Sequence, residues 1–220
     1  MHFGTFMAVL IIYRKEIWGM IKSLKCILVR EENPVSMGYL RLLGLIVIGS
    51  VPAGFFGLLF KNIVEKSFSS ISFVSAMLIL TGIFLWLTRL SKATNHKMKF
   101  IDAIIIGLAQ AFALLPGISR SGFTIGTGLF RGIDKAKSAD FSFLLSLPAI
   151  FGATLLKLND CFIEKPSSHL IFLYLLGSLC AFIFGYLAIK FLLNVLKKGR
   201  FQHFGYYCIV AGILTLIFLR

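Results

Sequence analysis

Pro116-Gly117-Ile118-Ser119-Arg120-Ser121-Gly122-Phe123-Thr124 interrupts an otherwise apolar part of the chain. The apolar run Ile101 to Leu115 leads into it without a gap, and apolar residues resume at Phe123. The stretch is therefore predicted to lie at membrane depth. A cation held there is expensive and usually faces a polar cavity, pairs with an anion and marks function, which singles out Arg120. Pro116 and Gly117 stop a helix, and Gly122 lets another begin close to whatever sits beside it. Broken backbone at such depth is tolerated only where protein buries it or water reaches it. These features predict an anion site cut into a membrane domain.

Working outward, composition supports the membrane reading. Of the 220 residues, 58% are hydrophobic, and the mean hydropathy is +0.89, far above that of soluble domains. The formal charge of +14 would suggest nucleic acid in a soluble chain. Here the basic residues fall in short segments between apolar runs, the positive-inside pattern, so no nucleic-acid partner is expected. Cys26, Cys161, Cys180 and Cys208 are isolated and lack metal-ligand spacing, which argues against a disulfide framework or a metal cluster. The chain opens with no charged-then-apolar signal peptide.

In chain order, Phe3 to Tyr13 is apolar but short of the ~20 residues a span needs. Arg14 to Arg41 carries an excess of basic residues and reads as cytoplasmic, with Asn33-Pro34 as a turn. Leu40 to Phe60, Ile71 to Thr88, Phe141 to Leu156, Leu170 to Ile189 and Phe204 to Leu219 read as spans. Val51-Pro52-Ala53-Gly54 and Pro148-Ala149 are kinks within two of them. Arg89 to Lys99, with four basic residues and no acid, and the polar run Arg131 to Asp140 read as cytoplasmic; Lys157 to His169 reads as external. The loop holding Lys61, Glu65 and Lys66 joins the first two spans.

If both flanking segments are cytoplasmic, the chain between them crosses an even number of times, and neither Ile101 to Leu115 nor Phe123 to Phe130 is long enough to cross comfortably. A re-entrant hairpin with Pro116 to Gly122 at its tip satisfies both constraints. Transporter-type folds place binding sites at such broken helices, often between inverted repeats. A weak repeat signal exists: Ser50-Val51-Pro52-Ala53-Gly54-Phe55-Phe56-Gly57 resembles Ser146-Leu147-Pro148-Ala149-Ile150-Phe151-Gly152 with one gap. The fold expected is all-α: about six transmembrane helices plus one re-entrant helical hairpin, forming part of an inverted-repeat fold in a single integral membrane domain over residues 1–220.

A phosphorylated lipid suits the tip chemically. A planar guanidinium replaces lost phosphate hydration with paired charge-assisted hydrogen bonds, the role expected of Arg120. Ser119, Ser121 and Thr124 add hydroxyls, and backbone amides from Gly122 onward would point at the anion if a helix starts there. Gln110, on the preceding limb, is a polar group aimed at the same cavity. Either serine could attack phosphorus, but a hydroxyl nucleophile wants an adjacent base, and none is close in sequence. The structural alternative is that proline and glycine break the helix for packing, serine and threonine cap it, and arginine pairs with a buried carbonyl. Arginine between two serines, bounded by glycines at a re-entrant tip, favours the anion site. His2, His96, His169 and His203 fall at predicted ends or loops and read as interfacial, as do Trp18, Trp86, Tyr206 and Tyr207.

Gly107-Leu108-Ala109-Gln110, the Pro116–Thr124 motif and Phe141-Ser142-Phe143-Leu144-Leu145-Ser146-Leu147-Pro148 together resemble the undecaprenyl-diphosphatase, or bacitracin-resistance, family of bacterial inner-membrane enzymes. The resemblance extends to His2-Phe3-Gly4-Thr5, Val51-Pro52-Ala53 and Phe204-Gly205-Tyr206-Tyr207. It implies a multi-pass phosphatase of the inner membrane with a site facing the periplasm. Such an enzyme removes the terminal phosphate of undecaprenyl diphosphate, recycling the lipid carrier for peptidoglycan synthesis, cell-wall biogenesis and cell shape, and conferring bacitracin resistance. It also implies two re-entrant hairpins meeting in a polar cavity. Ser119, Arg120, Ser121 and Thr124 match the family's catalytic motif, with Gln110, Pro116, Gly117 and Gly122 in the substrate-binding surround.

The family pattern begins with a hairpin carrying Glu-x-x-x-Glu and a Ser-Ser-Thr-Gly-His run, and this sequence holds neither. The resemblance thus implies a C-terminal portion with weak or no hydrolysis by itself, and a divalent cation, Mg or Ca, whose ligands lie outside this chain. Cys208 stands where the family is expected to have a basic residue. A polyprenyl-phosphate transporter or binder and an inactive remnant are the alternatives, and a homodimer is left open.

Overall fold

The computed structural model describes residues 2–29, 33–92, 94, 96–164 and 168–218. Arg30, Glu31 and Glu32 of the first cytoplasmic segment, the side chains of His2 and Cys26, and those of residues 156–169, which include Lys157, Cys161 and His169, lie outside the described residues. Among the described residues the chain is helical, with no strand: α1 (His2–Ile12), α2 (Arg14–Val29), α3 (Pro34–Leu59), α4 (Lys61–Ser67), α5 (Ile71–Leu87), a 3-10 turn (Thr88–Leu90), α6 (Phe100–Phe112), α7 (Arg120–Phe130), α8 (Lys135–Glu164), α9 (Ser168–Lys197) and α10 (His203–Phe218). Four are long and apolar enough to cross a membrane, namely α3, α5 with its 3-10 extension, α8 and α9; α1, α6 and α10 are apolar but shorter. This is an all-α polytopic membrane protein.

Several boundaries differ from the sequence reading, each for a local reason. The polar segment with Lys61, Glu65 and Lys66 coils into α4. The run Arg131 to Asp140 is a loop only at its start, because Asp134 caps the next helix, accepting the Ala136 amide at 3.0 Å and that of Lys137 at 3.2 Å. Pro52 and Pro148 remain inside α3 and α8.

The chain divides into two compact units. The first comprises Met1–Ile46 and Phe143–Phe191. Its contacts are close: a Cβ on Gly4 would lie 2.0 Å from the Ser178 carbonyl oxygen, so only glycine allows α1 its approach to α9. Ring contacts Phe6–Phe151 (5.8 Å) and Tyr13–Phe143 (6.1 Å) fasten the α1 region to α8.

The second unit, Val47–Ser142 and Leu192–Arg220, carries the motif. Here α5 and α10 pack through reciprocal glycines: a Cβ on Gly82 would meet the Gly205 oxygen at 2.7 Å, and one on Gly205 the Gly82 oxygen at 2.6 Å. A Cβ on Gly107 would lie 2.2 Å from the Gly49 oxygen, so α6 crosses α3 backbone to backbone. Such seams are how membrane helices gain packing without hydrophobic drive. Phe123 of α7 stacks on Phe84 of α5 at 4.2 Å and touches Phe112 at 5.7 Å, pinning both hairpin limbs to α5.

Candidate anion site

The limbs α6 and α7 have 13 and 11 residues. At 1.5 Å per residue they are about 20 and about 16 Å long, against about 30 Å of hydrocarbon, so this is a hairpin that does not cross. Its register follows from two contacts. At the mouth, Arg131 Nε donates to Asp102 Oδ1 at 2.8 Å. One turn further in, a Cβ on Gly128 would sit 3.7 Å from Ile106 Cδ1. Antiparallel continuation places Gln110 level with Thr124, and Ser121 lies one turn nearer the tip on the Thr124 face.

The mouth is clasped. Asp102 is completely buried and also accepts the Lys99 amide at 2.8 Å and faces His96 Nε2 at 2.9 Å, both on Oδ2. Burial pushes its carboxyl up, but the Lys99 amide, Arg131 and His96 outweigh this and hold it below the ordinary carboxylate range. Beside it, the Thr94 amide donates to the Gly132 oxygen at 3.1 Å. The acid on the preceding limb is thus engaged at the far end of the hairpin, so it is not the base the serines lacked. His96, read as interfacial, turns out to belong to this clasp.

The tip is held by α5. Gly117 has φ +90°, where glycine is favoured, and a Cβ there would lie 2.2 Å from the Val74 oxygen. Thr81, fully buried, donates to the Gly117 oxygen at 3.1 Å and accepts the Ser119 amide at 3.3 Å. Sequence reasoning passed over Thr81, a lone hydroxyl inside an apolar span.

Helix α7 starts at Arg120, not at Gly122, because Ser119 is its N-cap: the Ser119 hydroxyl oxygen accepts the Gly122 amide at 3.2 Å. The Gly122 amide is therefore used by the cap. The amides facing out at the helix start are those of Arg120 and Ser121, which precede the first intrahelical bond. Thr124 is buried with its hydroxyl turned back to the Arg120 oxygen (2.9 Å) and paired with Ser142 of α8. In the sequence Ser142 is one serine among phenylalanines and leucines, which carries no signal alone.

Along the hairpin, Arg120, Ser121 and Gln110 make no side-chain hydrogen bond or ion pair among the described residues. Arg120 is half-buried and meets no described carboxylate; Ser121 is half-buried. Gln110 is 1% exposed, with neither amide atom hydrogen-bonded. Buried amides are almost always satisfied, so an orphan asks for a partner. A metal does not fit this set: among the described residues no three His, Cys, Asp or Glu side chains gather, and Asp102 is committed. Of the free cysteines described, Cys180 is exposed and Cys208 buried, without a disulfide between them.

The long apolar helices and the short-limbed hairpin among them define a polytopic membrane protein. Residues 1–214 match the family model described as "Bacitracin resistance protein BacA". The chain belongs to that family. It is 42% identical over 226 residues to a protein from Desulforapulum autotrophicum named undecaprenyl-diphosphatase, covering 98% of this chain and 81% of that one. A protein of the same name from Carboxydothermus hydrogenoformans is 39% identical, over 98% of this chain and 79% of its own. "Undecaprenyl-diphosphatase 2" of Bacillus thuringiensis is 36% identical, over 98% and 80%.

Proposed function

We propose that this chain binds undecaprenyl diphosphate at the hairpin tip and takes part in its hydrolysis to undecaprenyl phosphate and phosphate. That reaction recycles the lipid carrier for cell-wall synthesis and confers bacitracin resistance. The observation that carries the reading is Arg120: a guanidinium at membrane depth, free of carboxylates among the described residues, at the N-terminus of α7 beside the Arg120 and Ser121 amides. A terminal phosphate there gains the guanidinium fork, two amides and the positive helix end together. Phosphoryl transfer needs mainly such preorganised positive charge and donors.

The other residues take roles consistent with their contacts. Ser121 offers the unengaged hydroxyl. Ser119 holds the helix start, and Thr124 with Ser142 fixes the buried side of α7. Gln110 supplies an amide able to donate to a phosphate oxygen at the Thr124 level. Pro116 and Gly117 set the tip against α5. Removing a phosphate requires an attacking water or hydroxyl and a proton acceptor; the described residues near the tip include no carboxylate for that step.

Gly117 and Ser119 meet α5 between Val74 and Thr81, about 5 to 15 Å along the axis from Ile71. With Arg89 to Lys99 in the cytoplasm, that is the outer half of the bilayer, which supports a site open to the periplasm of a bacterial inner membrane. A second reading is a polyprenyl-phosphate binder or transporter, because an arginine at a re-entrant tip suits either role. Phosphate release from undecaprenyl diphosphate by the chain in lipid nanodiscs decides between them. Arg120-dependent release supports hydrolysis, and Arg120-dependent binding with no release supports the binder.

A further inference from the structure

Limb α6 is two-faced. Ile106 packs toward α7, while Leu108, Ala111 and Phe112, at i, i+3 and i+4, form a second stripe that Leu114 and Leu115 continue past the helix end. That stripe is one wall of an apolar groove of about 440 Å³ whose other wall comes from the end of α3 and from α4, with Phe56, Phe60 and Ile63. The Ile118 amide donates to the Leu115 oxygen at 3.3 Å, so the groove wall turns directly into Ser119 and the helix start.

The geometry points to this groove as the seat of the first isoprenyl units of a polyprenyl diphosphate, with the diphosphate at Arg120. This rests on the proposed function. Three features select that occupant. Among the described residues no charged side chain lines the groove, which suits a hydrocarbon chain and not a headgroup. Leu114 and Leu115 of its wall immediately precede Pro116, so a chain lying there ends in its polar head at the tip. Its volume is in the ~300–1,000 Å³ range of small-ligand pockets, which fits a short chain segment and leaves the rest of a long polyprenyl tail in the bilayer. Phe56 and Phe60, stacked at 5.7 Å, offer flat faces to a branched, unsaturated chain.

The test is photolabelling in phosphatidylglycerol nanodiscs with a polyprenyl phosphate bearing a diazirine in its second isoprenyl unit. Expected are adducts on the peptides holding Phe56, Phe60 or Phe112, displaced by undecaprenyl diphosphate. Leu108→Trp, which fills the groove, lowers labelling about tenfold, the loss of about two buried methylenes. Leu58→Trp, on a residue 84% exposed and away from the groove, does not. Equal labelling by a diazirine phosphatidylglycerol, not displaced by undecaprenyl diphosphate, means bulk lipid fills the groove and overturns the inference. So does labelling indifferent to Leu108→Trp. Arg120-dependent hydrolysis with labelling elsewhere sinks the groove alone; groove labelling with no hydrolysis sinks the phosphatase reading alone.

Discussion

Replacing Gly117 by alanine tests whether the tip's seat on α5 positions the site. The residue sits at φ +90°, and the added Cβ would lie 2.2 Å from the Val74 oxygen where ordinary contact begins at 3.4 Å. The left-handed conformation costs a non-glycine residue about 1–2 kcal/mol. Relieving the clash requires the tip to move about 1 Å from α5, with an overpacking cost of about 1–3 kcal/mol. Together these predict a destabilisation of about 3 kcal/mol. A 1 Å displacement of a positioned group costs about a hundredfold in turnover. Thermal unfolding in detergent and kcat/KM for phosphate release measure the two effects. Gly54→Ala is the control, because nothing lies within 4 Å of its Cβ. Full turnover per folded molecule in Gly117→Ala would refute the positioning argument even if stability fell.

Gln110→Leu removes two unsatisfied buried atoms, so stability holds or rises by about 1 kcal/mol while affinity for undecaprenyl diphosphate falls; lower stability with unchanged affinity would make Gln110 structural. Arg131→Leu removes one of the three partners of buried Asp102 and, with Arg131 itself 40% exposed, lowers stability by about 1–3 kcal/mol, read as a drop in unfolding midpoint. The Asp102 carboxyl is held below its unfolded value, so its stabilisation is present above the ordinary carboxylate range and lost as pH falls through the folded value. Asp102→Asn therefore flattens the acid limb of stability against pH, and an unchanged limb would contradict this.

The hairpin was legible because its signals are local: a 15-residue apolar run, Pro116-Gly117, and basic flanks of the same sign. The clasp was not, since Asp102 and Arg131 are 29 residues apart and His96 sits in a loop whose fold alone brings it to a carboxylate. The start of α7 was misplaced because Ser119 was weighed as a ligand donor, when its position before Arg120 also fits an N-cap. Thr81 and Ser142 were invisible for a related reason: a single hydroxyl in an apolar run gains meaning only from what it faces. Gln110 was recognised as polar and inward, but that both its amide atoms lie unpartnered is a property of the packed structure.

The account's central claim is that Arg120 holds the diphosphate of a polyprenyl lipid. Phosphate release from undecaprenyl diphosphate in nanodiscs, compared between the chain and Arg120→Ala, addresses it directly. The account predicts that Arg120→Ala inserts and unfolds like the parent while its release rate falls by at least about a hundredfold. Release within about threefold of the parent would place the anion site elsewhere.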